Sequence, residues 1–319
     1  LFPKAAEEDA PYSFGETRLQ DPIYLPPTFM FGKREKTILL VPGTGNVGWQ
    51  TYRFVANWIP YLQNTTWADV AWLNLPNYLL NDIQENAEMV AYAINYVSAI
   101  SGGKKISVMS WSQGGIDTQW ALKYWPSARS KVEDFVAFAP DFHGTTMTDL
   151  SCKLLSDGCA PAVLQQGYTS ALITTLRASD GSTAYVPTTT LYSAQDEIVQ
   201  PQSGTNASAY LPSSALAPAS NNQIQTLCPN QPASAGWVTH EGVLYNGLAA
   251  ALAIDALRNE GPGSVERLGQ GGLEEACGRW VWPGFDWVGT EGALLQGAAA
   301  IFGASVKVTV EPPIMGYAS

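Results

Sequence analysis

Histidine is nearly absent. The 319 residues hold two, His143 and His240, beside four cysteines. No spacing of these residues matches a metal site, so no metal is implied. Basic side chains are also scarce, with 17 Lys and Arg against 28 acids and a net charge of −11. That balance argues against a nucleic-acid partner, because phosphate binding needs clustered positive charge. No apolar run reaches the ~18 residues that span a bilayer. The best candidate, residues 247 to 257, is too short and includes Asp255. Internal repeats are lacking. The pair Gly43 and Gly45 misses both the third glycine and the acid about 20 residues on that a dinucleotide loop requires. No organic cofactor is implied.

The composition can bury a large core, with 46% hydrophobic residues and 11 tryptophans. Length alone allows two domains. One is expected, over 1–319, because the residues singled out below run from 112 to 240 and must converge in one sheet. The first 35 residues are proline-rich without periodicity and read as an extended arm. Strands and helices then alternate: Lys36 to Val41 and Val70 to Leu75 as strands, Asn81 to Ile100 as a helix with one apolar face, Lys105 to Met109 as a strand, Ile116 to Tyr124 as a helix, Val132 to Ala139 as a strand. Such alternation predicts an α/β fold, a mostly parallel sheet with helices on both faces. Residues 203 to 235, rich in Ser, Ala, Pro and Asn, read as a long loop, and about 291 to 303 as a final helix. Trp280, Trp282, Phe285 and Trp287 cluster before it, a grouping more often found in packing than in ligand recognition.

Ser112 stands where a β-branched run breaks into Ser110-Trp111-Ser112-Gln113-Gly114-Gly115 ahead of a helical pattern. A nucleophilic serine on a strained strand-to-helix turn needs small residues two before and two after it. Here they are Ser110 and Gly114. The usual first residue is glycine, and serine departs from it. Ser112 read without its partners equally serves as a helix cap. A hydroxyl becomes nucleophilic when a base takes its proton and an acid orients that base. In this arrangement the partners follow as Ser, then acid, then His. His143 comes too soon after Ser112, which leaves His240. Between them, residues 186 to 197 read as a buried strand ending in Asp196 and Glu197, where the orienting acid belongs. Spacing alone leaves both acids open. His240 would otherwise cap the alanine-rich helix after it.

Charge on an attacked carbonyl oxygen needs preset donors. One is the N–H of Gln113, the residue after the nucleophile. The second belongs to a loop after an early strand, and the strand at 36 to 41 runs into Pro42-Gly43-Thr44-Gly45, where Thr44 adds its hydroxyl.

The segments Val41-Pro42-Gly43-Thr44-Gly45, Trp111-Ser112-Gln113-Gly114-Gly115, Ala137-Phe138-Ala139-Pro140-Asp141 and residues 191 to 202 resemble those of the fungal lipase B family of α/β-hydrolases. The likeness runs from about residue 36 to 210 and resumes more weakly near His240 and residues 311 to 318. It implies an α/β-hydrolase fold, a triad of Ser112, Asp196 and His240, and an oxyanion hole of Thr44 and Gln113. It also implies Trp111 flooring the alcohol side of the pocket, and Asp141, Gln166 and Ile198 lining the acyl side. Asn46 replaces a threonine near the alcohol pocket and Thr51 a serine. Residues 145 to 165 match the family's lid-like cover, longer here by about two residues and carrying two unexpected cysteines.

A family disulfide matches Cys228–Cys277, which leaves Cys152 to pair with Cys159. On an unbroken helix their Cα atoms would lie ~10.5 Å apart, beyond disulfide reach, so Lys153 to Gly158 would have to turn back. Cysteine usage of this kind fits an oxidising compartment. Asn64-Thr65-Thr66 and Asn206-Ala207-Ser208 are glycosylation sequons, read as surface loops. The chain starts at Leu1 without an initiator methionine or a basic-then-apolar leader, as a processed form would. Together these readings describe a secreted, monomeric serine carboxylic-ester hydrolase. Its expected substrates are triglycerides and simple esters, met at a lipid–water interface or in solution, with acyl transfer to alcohols. Two other readings remain open: an amidase or peptidase using the same triad, and a silent hydrolase fold used for binding.

Overall fold

Seven strands form one sheet in a computed structural model that describes residues 1–54, 57–153 and 157–319. They are β1 (Ile23–Tyr24), β2 (Lys36–Val41), β3 (Ala68–Leu73), β4 (Ile106–Trp111), β5 (Val132–Phe138), β6 (Thr188–Tyr192) and β7 (Ala219–Gln223). Their spatial order is β1-β3-β2-β4-β5-β6-β7. The pairs from β3 through β7 are parallel, and β1 alone runs antiparallel to its neighbour. The anticipated α/β architecture is therefore present.

Side chains alternate across a strand, and β2 divides accordingly. Leu39 and Val41 enter one core with helices Ile83–Ile100 and Gly114–Tyr124, whereas Ile38 and Leu40 enter another with helix Gly247–Arg258. Both faces are thus covered, and the run of apolar residues in each central strand follows from that. The alanine-rich 247–258 helix starts at Asn246, whose side chain accepts from the N–H groups of Leu248 and Ala249. His240 is consequently not its cap.

Three expectations change. The N-terminal arm includes a short helix, Glu16–Gln20, and strand β1, and it is fastened by Ser13, whose N–H and hydroxyl both donate to Glu88 at 2.7 and 2.9 Å. Residues 203 to 235 are not a plain loop, because they carry β7. Its sequence, ASNNQ, is polar, and its polar side chains serve the backbone: Asn222 donates to the Thr190 carbonyl at 3.0 Å, and Asn221 exchanges bonds with Leu211 at 2.7 and 2.9 Å. A further helix, Val265–Cys277, lies between the two helices foreseen in the C-terminal third.

Both disulfides are formed, Cys152–Cys159 with Cα atoms 5.6 Å apart and Cys228–Cys277 at 5.4 Å. The reversal expected between Lys153 and Gly158 falls on residues 154–156, which lie outside the described residues. Before them lies the helix Thr146–Lys153, and after them Cys159 exchanges backbone hydrogen bonds with Val308 at 3.1 and 2.8 Å. Asn64 and Asn206 are both exposed. Among the described residues, no helix is long and apolar enough to cross a membrane.

Candidate active site

β4 continues its pairing with β5 to the Ser112 N–H, which donates to the Phe138 carbonyl at 2.9 Å, and there the chain turns sharply into helix Gly114–Tyr124. Ser112 itself has φ +54°, a left-handed conformation that non-glycine residues seldom adopt. The corner needs Gly114 for a separate reason: a Cβ there would lie 2.5 Å from the Pro42 carbonyl oxygen. That close approach brings the start of the helix against the loop after β2. The helix begins without a side-chain cap, so Ser112 is not used as one.

Ser112 opens onto a cavity of about 250 Å³ that it shares with Thr44, Asn46, Trp111, Gln166, Ile198 and His240. His240 presents Nδ1 to Asp196 Oδ2 at 2.7 Å, with both side chains buried. Asp196 Oδ1 accepts from the N–H groups of Ile198 and Val199 at 2.9 and 2.7 Å, so the turn after β6 fixes the carboxylate. Glu197, the other acid left open by spacing, accepts instead from the backbone N–H of His240 at 3.1 Å. The geometry thereby separates the two acids. Burial by itself lowers the His240 pKa, but the charge and hydrogen bond of Asp196, with Glu241 and Glu197 behind them, outweigh it and hold the ring at about 9.

The remaining candidates divide. Trp111 lines the cavity, and its indole N–H donates to the His240 carbonyl at 3.3 Å. Thr44 Oγ1 lies 2.7 Å from Gln113 Oε1 and 3.1 Å from Gln166 Oε1, while Gln166 donates to Gln113 Oε1 at 3.1 Å. Gln113 is buried behind this group, with its N–H at the mouth of the helix. Asp141 and Thr51 are buried and are not among the cavity's lining residues. Burial holds Asp141 up at about 7, partly offset by His240. His143 is far less basic than usual, near 4, owing to burial and then Arg177.

Several lining residues were not foreseen. Thr145, Met147, Thr148, Cys159 and Val163 come from the lid-like segment, and Gly297, Ala298, Ile301 and Phe302 from helix Trp287–Phe302. The small residues of that helix were a readable sign. Gly45 (φ +76°) packs so tightly on it that a Cβ would sit 2.5 Å from the Gly297 oxygen. The aromatic cluster, by contrast, does not line the cavity, and Phe285 stacks edge-on against Trp58 and Tyr61.

A mostly parallel sheet, a serine on a left-handed strand-to-helix corner and a histidine–carboxylate pair beside it define the chain as an α/β-hydrolase. No family model matches it. It is 40% identical to lipase B of Pseudozyma antarctica over 288 residues, which cover 89% of this chain and 79% of that protein. It is also 50% identical to Aspergillus fumigatus lipase B, whose crystal structure superposes with a TM-score of 0.93 over 100% of this chain and 75% of that one. The chain belongs to the lipase B family, and it is a hydrolase of the lipase/esterase class.

Proposed function

We propose that the protein is a secreted serine hydrolase that cleaves carboxylic esters, triglycerides among them, through an acyl-enzyme. His240 takes the proton of Ser112 as its oxygen attacks the ester carbonyl, and Asp196 steadies the imidazolium that results. The N–H of Gln113 and the Thr44 loop receive the oxyanion. His240 then returns the proton to the leaving alcohol, and water or a second alcohol releases the acyl group as an acid or a new ester. The observation that carries this reading is the buried His240–Asp196 contact of 2.7 Å, made by a histidine that shares its cavity with Ser112.

An ester substrate fits the surroundings. Met147, Ile198 and Phe302 line the cavity and are also exposed, which gives it an apolar mouth suited to an acyl chain or a lipid surface. Two disulfides and two exposed sequons support secretion. The test is an ester series from acetate to oleate, with triglycerides, run on wild type and Ser112→Ala. Short to medium chains should turn over fastest, triglycerides should be accepted, and the variant should lose turnover and fluorophosphonate labelling together. A Ser112→Ala variant that keeps wild-type turnover removes the nucleophile assignment.

A further inference from the structure

Residues 77 to 79 form a left-handed turn in which none of the three is glycine: φ is 49° at Asn77, 57° at Tyr78 and 61° at Leu79. Asparagine tolerates this region, but tyrosine and leucine rarely enter it, and three in succession persist only where neighbours over-determine them. The neighbours here are the two segments proposed to hold the oxyanion. The Tyr78 carbonyl accepts from the N–H of Gly45 at 2.8 Å, next to Thr44. The Leu79 carbonyl accepts from Gln113 Nε2 at 3.0 Å and from Asn86 Nδ2 at 3.3 Å.

The second contact determines which way the Gln113 amide faces. With Nε2 held on the Leu79 oxygen, Oε1 must point the other way, where it accepts from the Thr44 hydroxyl at 2.7 Å and from Gln166 Nε2 at 3.1 Å. A hydroxyl has one proton. Of its two acceptors, Gln113 Oε1 at 2.7 Å and Gln166 Oε1 at 3.1 Å, the nearer takes the Thr44 proton at rest, and rotation about Cβ–Oγ is what frees it for a substrate oxygen.

We propose that the side-chain amide of Gln113, oriented by the Asn77–Leu79 turn, is a positioning group for the Thr44 hydroxyl. It would act beside the role proposed for the same residue's backbone N–H, and the inference rests on the oxyanion-hole reading above. Gln113 holds the Thr44 oxygen in place until charge develops on the substrate. The turn joins the loop after β2 to the helix after β4, so donors 69 residues apart keep a fixed separation. The expected signature is a loss in kcat, since the interaction aids the transition state and not ground-state binding.

The experiment is a double-mutant cycle on p-nitrophenyl butyrate hydrolysis, with melting temperatures recorded for each protein. Thr44→Val should lower kcat on the order of 100-fold, as for loss of one oxyanion donor. Gln113→Met, similar in length but without the amide, should lower kcat on the order of 10-fold and leave KM within about twofold. Introduced into Thr44→Val, it should change kcat by less than about twofold, because the group it positions is already gone. Full multiplication of the two losses, or a Gln113→Met effect confined to KM, overturns the positioning role and leaves the oxyanion hole standing. An unchanged kcat in Thr44→Val overturns the hole's assignment and this inference with it. Should Gln113→Met fail to fold, Gln113→Ser, which leaves room for water, enters the same cycle with the same outcomes.

Discussion

Replacing Asp196 by asparagine changes one atom at the centre of the proposed machinery, and the surrounding bonds dictate how the new side chain must lie. Oδ1 accepts two backbone N–H groups, from Ile198 and Val199, at 2.9 and 2.7 Å. An amide nitrogen cannot accept those donors, so the asparagine oxygen takes the Oδ1 place and its NH₂ group faces His240 Nδ1. There the carboxylate oxygen lay 2.7 Å away. Nδ1 then becomes an acceptor, the ring proton moves to Nε2, and the nitrogen that should take the Ser112 proton already carries one. The fold is retained while the base is lost. A wrong tautomer of this kind lowers kcat by about 10⁴, equivalent to about 5 kcal/mol at ~1.36 kcal/mol per decade.

Steady-state hydrolysis of p-nitrophenyl butyrate, normalised to the concentration of folded protein, measures the effect. Glu197→Gln is the control. Its carboxylate touches the backbone N–H of His240 and not the ring in the bonds described, so kcat compared at a pH above the rising limb, where His240 is neutral in both proteins, should stay within about threefold of wild type. A loss below tenfold in Asp196→Asn, or an equal loss in Glu197→Gln, would refute the assignment of the orienting acid.

Three further outcomes follow from the site and its supports. His240 is held at about 9 and acts as a base only when neutral, so kcat/KM should climb with pH toward that value, and Glu197→Gln, which removes one of the carboxylates raising it, should move the rising limb to lower pH. Glu241 is raised from 4.5 to about 8, chiefly by burial and further by the neighbouring Glu291 and Glu197 carboxyls. The folded protein binds this proton more tightly than the unfolded chain, so stability falls as pH rises through that window. Glu241→Gln should flatten the fall and melt above wild type near pH ~9, with little change near pH ~5, in thermal scans across pH. The two disulfides should contribute unequally, because they close loops with sequence separations of 7 and 49 residues. Loop entropy gives about 2.5 kcal/mol for Cys152–Cys159 and about 4 kcal/mol for Cys228–Cys277. Urea titrations of the two Cys→Ser double variants would detect a reversed order.

How far the sequence foretold the molecule depends on where each signal resides. β2 was legible to the residue because its six side chains all enter a core or its margin, and the helix over 83–100 because the apolar residues Ile83, Ala87, Val90, Ala91, Ile94 and Val97 recur with the helical period. β7 was not, since its strand character lies in backbone pairing and in asparagines that bond the neighbouring main chain, and hydropathy cannot record either. The same division runs through the site. Ser112 and His240 could be proposed because chemistry restricts each role to a few residue types in a fixed order, whereas Asp196 was set apart from Glu197 only by likeness to the family. Thr51 and Asp141 came only by likeness to a family, and both are buried without being among the residues that line the cavity. The support beneath Thr44 left no trace of its own, for Tyr78 and Leu79 contribute through carbonyl oxygens that every residue possesses. Their sequence, in which no glycine occupies the left-handed positions, argues against the conformation they adopt. A backbone shape that opposes its own residues' preferences must be held by what it touches, and here it touches Gly45 and Gln113 on the two sides of the proposed oxyanion site.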